Sequence, residues 1–91
     1  MKRHVKIWVS GRVQGVFFRQ STKNKARELG VFGKVKNLED GRVEIIVQAE
    51  DTQLQPFLDW CRKGPITARV DHIDIIELGE ITESYISFQI D

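Results

Sequence analysis

Apolar and polar positions alternate at the start of the chain. Val5, Ile7 and Val9 share one parity and His4, Lys6, Trp8 and Ser10 the other, which predicts a strand over about residues 4 to 10 with one buried face. From Phe18 the period lengthens. Phe18, Thr22, Ala26 and Leu29 recur at helical spacing while Lys23, Lys25, Arg27 and Glu28 point elsewhere, so an amphipathic helix is predicted, closed by Gly30. Val31 to Leu38 and Arg42 to Gln48 then flank Glu39-Asp40-Gly41, whose Asp-Gly pair signals a hairpin turn, and Val43, Ile45 and Val47 give the second arm its inward face. Leu54, Phe57, Leu58 and Cys61 predict a second helix, with Thr52 and Gln55 as a capping box and Pro56 close to its start. Gly64-Pro65 ends it. Ile73 and Ile75 mark a strand over about residues 69 to 78, and Ile86, Phe88 and Ile90 a short last one.

The order is β-α-β-β-α-β with a short extra C-terminal strand. An antiparallel sheet with both helices on one face, the ferredoxin-like α+β sandwich, satisfies that order, and residues 1–91 read as a single domain. In that arrangement the third strand lies between the first two. The first and second strands then run the same way and end at the same edge of the sheet.

Composition narrows the function classes. With 41% hydrophobic and 30% charged residues the chain is an ordinary globular sequence, and 14 Lys and Arg against 13 Asp and Glu give a net charge of +1. That balance argues against a dedicated nucleic-acid binder, which carries a clear basic excess. One cysteine, Cys61, forms no internal disulfide, no apolar run reaches the length of a membrane span, and Met1-Lys2-Arg3 is followed by no signal-peptide core. The expectation is a reduced, cytoplasmic protein of monomer size, with weak dimerisation left open.

The chemistry concentrates in Gly11-Arg12-Val13-Gln14-Gly15-Val16-Phe17-Phe18-Arg19. A strand that passes through a glycine-containing loop into a helix leaves several backbone N–H groups unpaired near one spot, and glycine lets an anion approach them. The helix N-terminus favours negative charge. Arg19 in the first turn is misplaced against the helix dipole unless an anion lies between the two, and its planar fork suits phosphate oxygens. The same residues also read as a plain turn with a solvated arginine, and the Gly-Lys-Ser/Thr ending of a nucleotide P-loop is missing. Asn37 is the second candidate. It shares the parity of Val35, ends the second strand beside this loop, and is a poor strand former that is costly to bury unpaired; alternatively it stabilises the turn before Asp40-Gly41.

Together, Gly11 to Arg19 and Gly33-Lys34-Val35-Lys36-Asn37-Leu38-Glu39-Asp40-Gly41-Arg42-Val43-Glu44 closely resemble the acylphosphatase family, with its G-x-V-Q-G-V-x-F-R and G-x-V-x-N-x-x-D-G-x-V-E signatures. Thr22, Ala26, Gly30, Gly64-Pro65 and Phe88-Gln89-Ile90 extend the likeness over nearly the whole chain. It departs at Lys34, where an aromatic is common, at Ile45, where a small residue is frequent, and at Gln48-Ala49-Glu50-Asp51, which lacks the usual turn. The resemblance implies metal-independent hydrolysis of acyl phosphates without a cofactor. Backbone amides of Gln14, Gly15, Val16, Phe17, Phe18 and Arg19, together with the Arg19 guanidinium, would hold the phosphoryl group, and Asn37 would position the attacking water. It also implies a small-molecule substrate, inorganic phosphate as product, and no nucleic-acid or membrane partner.

Two other classes remain in view. A non-catalytic binding module of this fold would need a Cys-x-x-Cys loop for metal, which Cys61 alone does not supply, or aromatics on the central strands for RNA, of which Trp8 beside Lys6 is the only hint. A regulatory domain would bind the same anion without turnover. Cys61 lacks an arginine six positions on and reads as a helix core residue, while His4 and His72 read as solvent-facing. No residue in the sequence alone selects an acyl group.

Overall fold

The computed structural model describes residues 2–91. Strand β1 spans Lys2–Arg12, helix α1 Phe18–Leu29, β2 Phe32–Asn37, β3 Val43–Glu50, helix α2 Asp51–Lys63, β4 Arg69–Glu77 and β5 Phe88–Ile90. The strands form one mixed sheet in the order β4-β1-β3-β2-β5. β3 pairs antiparallel with both β1 and β2, so those two run in the same direction, and β5 adds in parallel beside β2. This is the ferredoxin-like α+β fold expected from the element order.

Alternation decides which face is covered. Val5, Ile7 and Val9 of β1 and Val43, Ile45 and Val47 of β3 are fully buried, and they pack in one core with Phe18 and Ala26 of α1 and Leu54, Phe57 and Cys61 of α2. The helices meet through Phe18 and Trp60, whose ring centroids lie 5.6 Å apart. Thr22 sits in the same apolar stripe without cost, because its hydroxyl donates to the Phe18 carbonyl at 2.7 Å. Cys61 is a core residue, and burial pushes its thiol pKa up, which keeps it a thiol and a poor nucleophile.

Three local expectations are corrected. Helix α2 begins directly after β3, so its N-cap is Glu50, and the capping box pairs Glu50 with Gln53 rather than Thr52 with Gln55. The same junction explains the missing turn at Gln48 to Asp51: strand passes into helix with no loop between. Pro56 consequently lies inside the helix, beyond its first turn, on the exposed side where water can satisfy the carbonyl left without a donor. The last strand begins only at Phe88, and Ile86 stands outside it, 89% exposed.

Gly11 also has a different duty from the one its neighbourhood suggests. It is still in β1, with φ of 126°, where the register against β4 slips between Ser10 and Gly11. A Cβ there would lie 2.2 Å from the Arg69 carbonyl oxygen. Gly11 thus belongs to a bulge that lets β1 and β4 approach, not to the loop that follows. Gly11→Ala is expected to destabilise the protein by roughly 3 kcal/mol, the range of backbone strain plus overpacking, read as a lowered urea midpoint with an unchanged slope.

Candidate active site

β1 ends at Arg12, and the chain reaches α1 through residues 13–17. Val9 and Asn37 both pair with Val43, one on each side of β3, so the loop leaving β1 and the end of β2 arrive at the same edge of the sheet. The cavity at that edge is lined by Val13, Gly15, Phe17, Phe18, Arg19, Gln20, Asn37 and Ile90. Of the residues singled out in the sequence, Gly15, Phe17, Phe18, Arg19 and Asn37 therefore come together. Gln14 and Val16 do not line the cavity; they hold the loop in place.

Gln14 anchors it on one side. Its side-chain amide donates to the carbonyls of Leu38 at 2.8 Å and of Arg42 at 2.9 Å, which ties the loop to the β2–β3 turn. Thr67, in the segment after α2, anchors it on the other: its hydroxyl donates to the Val16 carbonyl at 2.6 Å. Val16 itself is buried. The turn is braced in its own right by Asp40, which accepts from the Arg42 backbone N–H at 3.0 Å and from its Nε at 2.8 Å. These bonds, the backbone one first, hold the Asp40 carboxyl below its usual pKa. Their contribution is present above the usual carboxylate range and is lost as pH falls through the lowered value.

Gly15 and Phe17 both take the left-handed conformation, at φ of 74° and 63°. For Gly15 this is free of strain, and for Phe17 it costs on the order of 1–2 kcal/mol. Phe17 is the N-cap of α1, and no side chain caps the helix. No acidic residue stands in the first turn. Among the described residues, the backbone N–H groups of residues 14 to 20 donate to no other protein group. An uncapped helix N-terminus with free donors attracts an anion.

Arg19 sits in the first turn of that helix, and its Nη1 donates to the backbone oxygen of Asp91 at 3.3 Å. Asn37 is half-buried, yet its Oδ1 is inaccessible to solvent and accepts no hydrogen bond. A buried acceptor in that state costs about 1–3 kcal/mol. The arrangement brings backbone donors, one guanidinium and the Asn37 side chain to the same cavity. Among the described residues, no group of three or more His, Cys, Asp or Glu side chains is placed to hold a metal ion, and no helix is long and apolar enough to cross a membrane.

Trp8, the aromatic hint of an RNA platform, is engaged within the chain. Its Nε1 donates to Glu44 at 3.1 Å, and Lys6 and Arg42 each stand 5.7 Å from its ring. His72 is exposed, as expected, and faces Asp74 at 3.0 Å. His4 is only half-exposed, with its Nδ1 buried.

The residues that sequence reasoning missed are Gln20, Thr67 and Ile90, together with the task of the Gln14 side chain. Gln20 follows Arg19 directly; the others act across a large separation along the chain and carry no local signal. Gln14→Ala is expected to weaken inorganic phosphate binding about tenfold by loosening the loop, and Gln14→Glu to weaken it further by setting a carboxylate against two carbonyls, as checked by titration calorimetry.

Comparisons with known proteins identify the family and the fold. A family model described as acylphosphatase matches residues 5–90. An acylphosphatase of Marinobacter nauticus is 51% identical over 85% of this chain and 84% of its own length, and one of Methylococcus capsulatus is 49% identical over 91% and 92%. The crystal structure of an acylphosphatase from Bacillus subtilis superposes with a TM-score of 0.93 at 35% identity, covering 100% of this chain and 99% of that one. The chain belongs to the acylphosphatase family.

Proposed function

We propose that the chain hydrolyses acyl phosphates to a carboxylate and inorganic phosphate, with the phosphoryl group held at the N-terminus of α1 and water supplied through Asn37. The reaction class comes with the family, whose members are hydrolases acting on acyl phosphates. The observation that carries the site assignment is that Asn37 and Arg19 line one cavity at an uncapped helix N-terminus.

The division of labour follows from what the reaction requires. The leaving carboxylate has a conjugate acid pKa of about 4, so it departs without a proton from the enzyme. Phosphoryl transfer then needs positioning and charge stabilisation rather than covalent chemistry. The backbone N–H groups of Gly15, Phe17, Phe18 and Arg19 donate to the phosphoryl oxygens, and the Arg19 fork balances the charge that grows on them. The Asn37 side-chain amide hydrogen-bonds a water molecule in the cavity and holds it with a lone pair toward phosphorus, opposite the departing carboxylate. Oxygen attacks phosphorus, the bond from phosphorus to the acyl oxygen breaks, and the water's protons pass to the products and solvent. In this reading the substrate is a small molecule, the working unit a monomer in the cytoplasm, and no cofactor or metal takes part.

Benzoyl phosphate turnover, followed by absorbance with EDTA present, tests it. Wild type is expected to turn over freely. Arg19→Ala should lose on the order of 10²–10³-fold or more, because phosphate affinity and transition-state charge stabilisation disappear together. Asn37→Ala should lose turnover while retaining much of the phosphate binding. Full turnover in Asn37→Ala would remove the water-positioning role.

A further inference from the structure

The cavity is larger than its phosphoryl site requires. It measures about 360 Å³, within the size range of small-molecule sites. A phosphoryl group, one phosphorus with its bonded oxygens, fills only a small part of that space. The remainder faces whatever the phosphoryl group is bonded to. Its walls are mostly apolar: Val13, Phe17, Phe18 and Ile90 stand against the polar Arg19, Asn37 and Gln20. Among the described residues, Arg19 is the one charged side chain in the lining.

Phe17 draws attention on two counts. It holds a left-handed backbone that an aromatic residue adopts at a cost, and the residue is 78% exposed. Phe18, its neighbour, is buried against Trp60. The strained backbone therefore keeps one phenyl ring in the core and sets the next at the mouth of the cavity. Ile90 reaches the same cavity from β5, whose parallel pairing places it beside Val35, two residues before Asn37. Two apolar side chains from opposite ends of the chain thus flank the space next to the phosphoryl site.

We propose that Phe17 and Ile90 form an acyl-binding subsite that selects acyl phosphates with an uncharged, apolar acyl group, aromatic or branched, over acetyl phosphate and over those carrying a second carboxylate. The proposal rests on the acyl phosphate hydrolase reading and deepens it. An aromatic acyl group covers the exposed Phe17 ring and gains edge or offset stacking with it. A methyl group leaves that ring in water. A second carboxylate would be desolvated against apolar walls with no cation beyond Arg19, which already serves the phosphoryl group.

The test is kcat/KM for acetyl, benzoyl and succinyl phosphate with wild type, Phe17→Ala, Phe17→Arg and Ile90→Ala. Comparing each variant's benzoyl-to-acetyl ratio with that of wild type cancels the intrinsic reactivity of the two substrates. The ratio should fall about tenfold in Phe17→Ala, mainly through KM for benzoyl phosphate, and should fall in Ile90→Ala as well. Phe17→Arg should raise succinyl relative to benzoyl phosphate. Ratios unchanged in both alanine variants, with acetyl phosphate still hydrolysed, would overturn the subsite alone. Absence of turnover on all three substrates in folded wild type would overturn the hydrolase reading beneath it.

Discussion

Val43 is paired with Val9 on one side and Asn37 on the other, and this register places every part of the site. Because β3 lies antiparallel between β1 and β2, the loop leaving β1 and the last residue of β2 must meet at one edge. A slip of one residue would turn Asn37 to the other face, and with it the buried Val35. The alternation that buries Val43, Ile45 and Val47 thus also fixes the phase at which a polar side chain enters the cavity. Stability of the core and geometry of the site are set by one pattern.

Upon that frame the loop is held by few bonds, and each is directed. Gln14 ties it to the β2–β3 turn and Thr67 to the segment after α2. Its own backbone donors are left without protein partners, and the helix it enters is uncapped. Such a terminus is poor local design for a helix and good design for an anion site. Arg19 fits that account: a cation in the first turn opposes the helix dipole until a bound anion separates them. Strain at Phe17 and the unpaired Asn37 oxygen add to the cost, which the packed core from Val5 to Phe88 sustains.

The sequence disclosed what is periodic or local. Strand alternation from Val5 to Val9, the helical spacing from Phe18 to Leu29 and the Asp40-Gly41 turn each depend on neighbours within a few residues, and the element order led to the sheet topology. Arg19 and Asn37 could be nominated because one lies beside a glycine loop and the other interrupts a strand pattern. What stayed hidden was tertiary. The close approach of β4 that requires Gly11, the reach of Gln14 to Leu38 and Arg42, the Thr67 anchor and the wall supplied by Ile90 join residues far apart along the chain. The capping box was missed for a different reason: Thr52 and Gln55 satisfy the same pattern as Glu50 and Gln53, and only the abrupt passage from β3 into α2 decides between them.

The central claim is that water attacks phosphorus while the acyl group leaves as a carboxylate. Hydrolysis of an acyl phosphate in water labelled with heavy oxygen, followed by mass spectrometry of both products, addresses it directly. The account predicts the label in inorganic phosphate and none in the carboxylate. Label in the carboxylate would mean that water attacks the carbonyl carbon, and would contradict a site built by Arg19, Asn37 and the α1 N-terminus around the phosphoryl group.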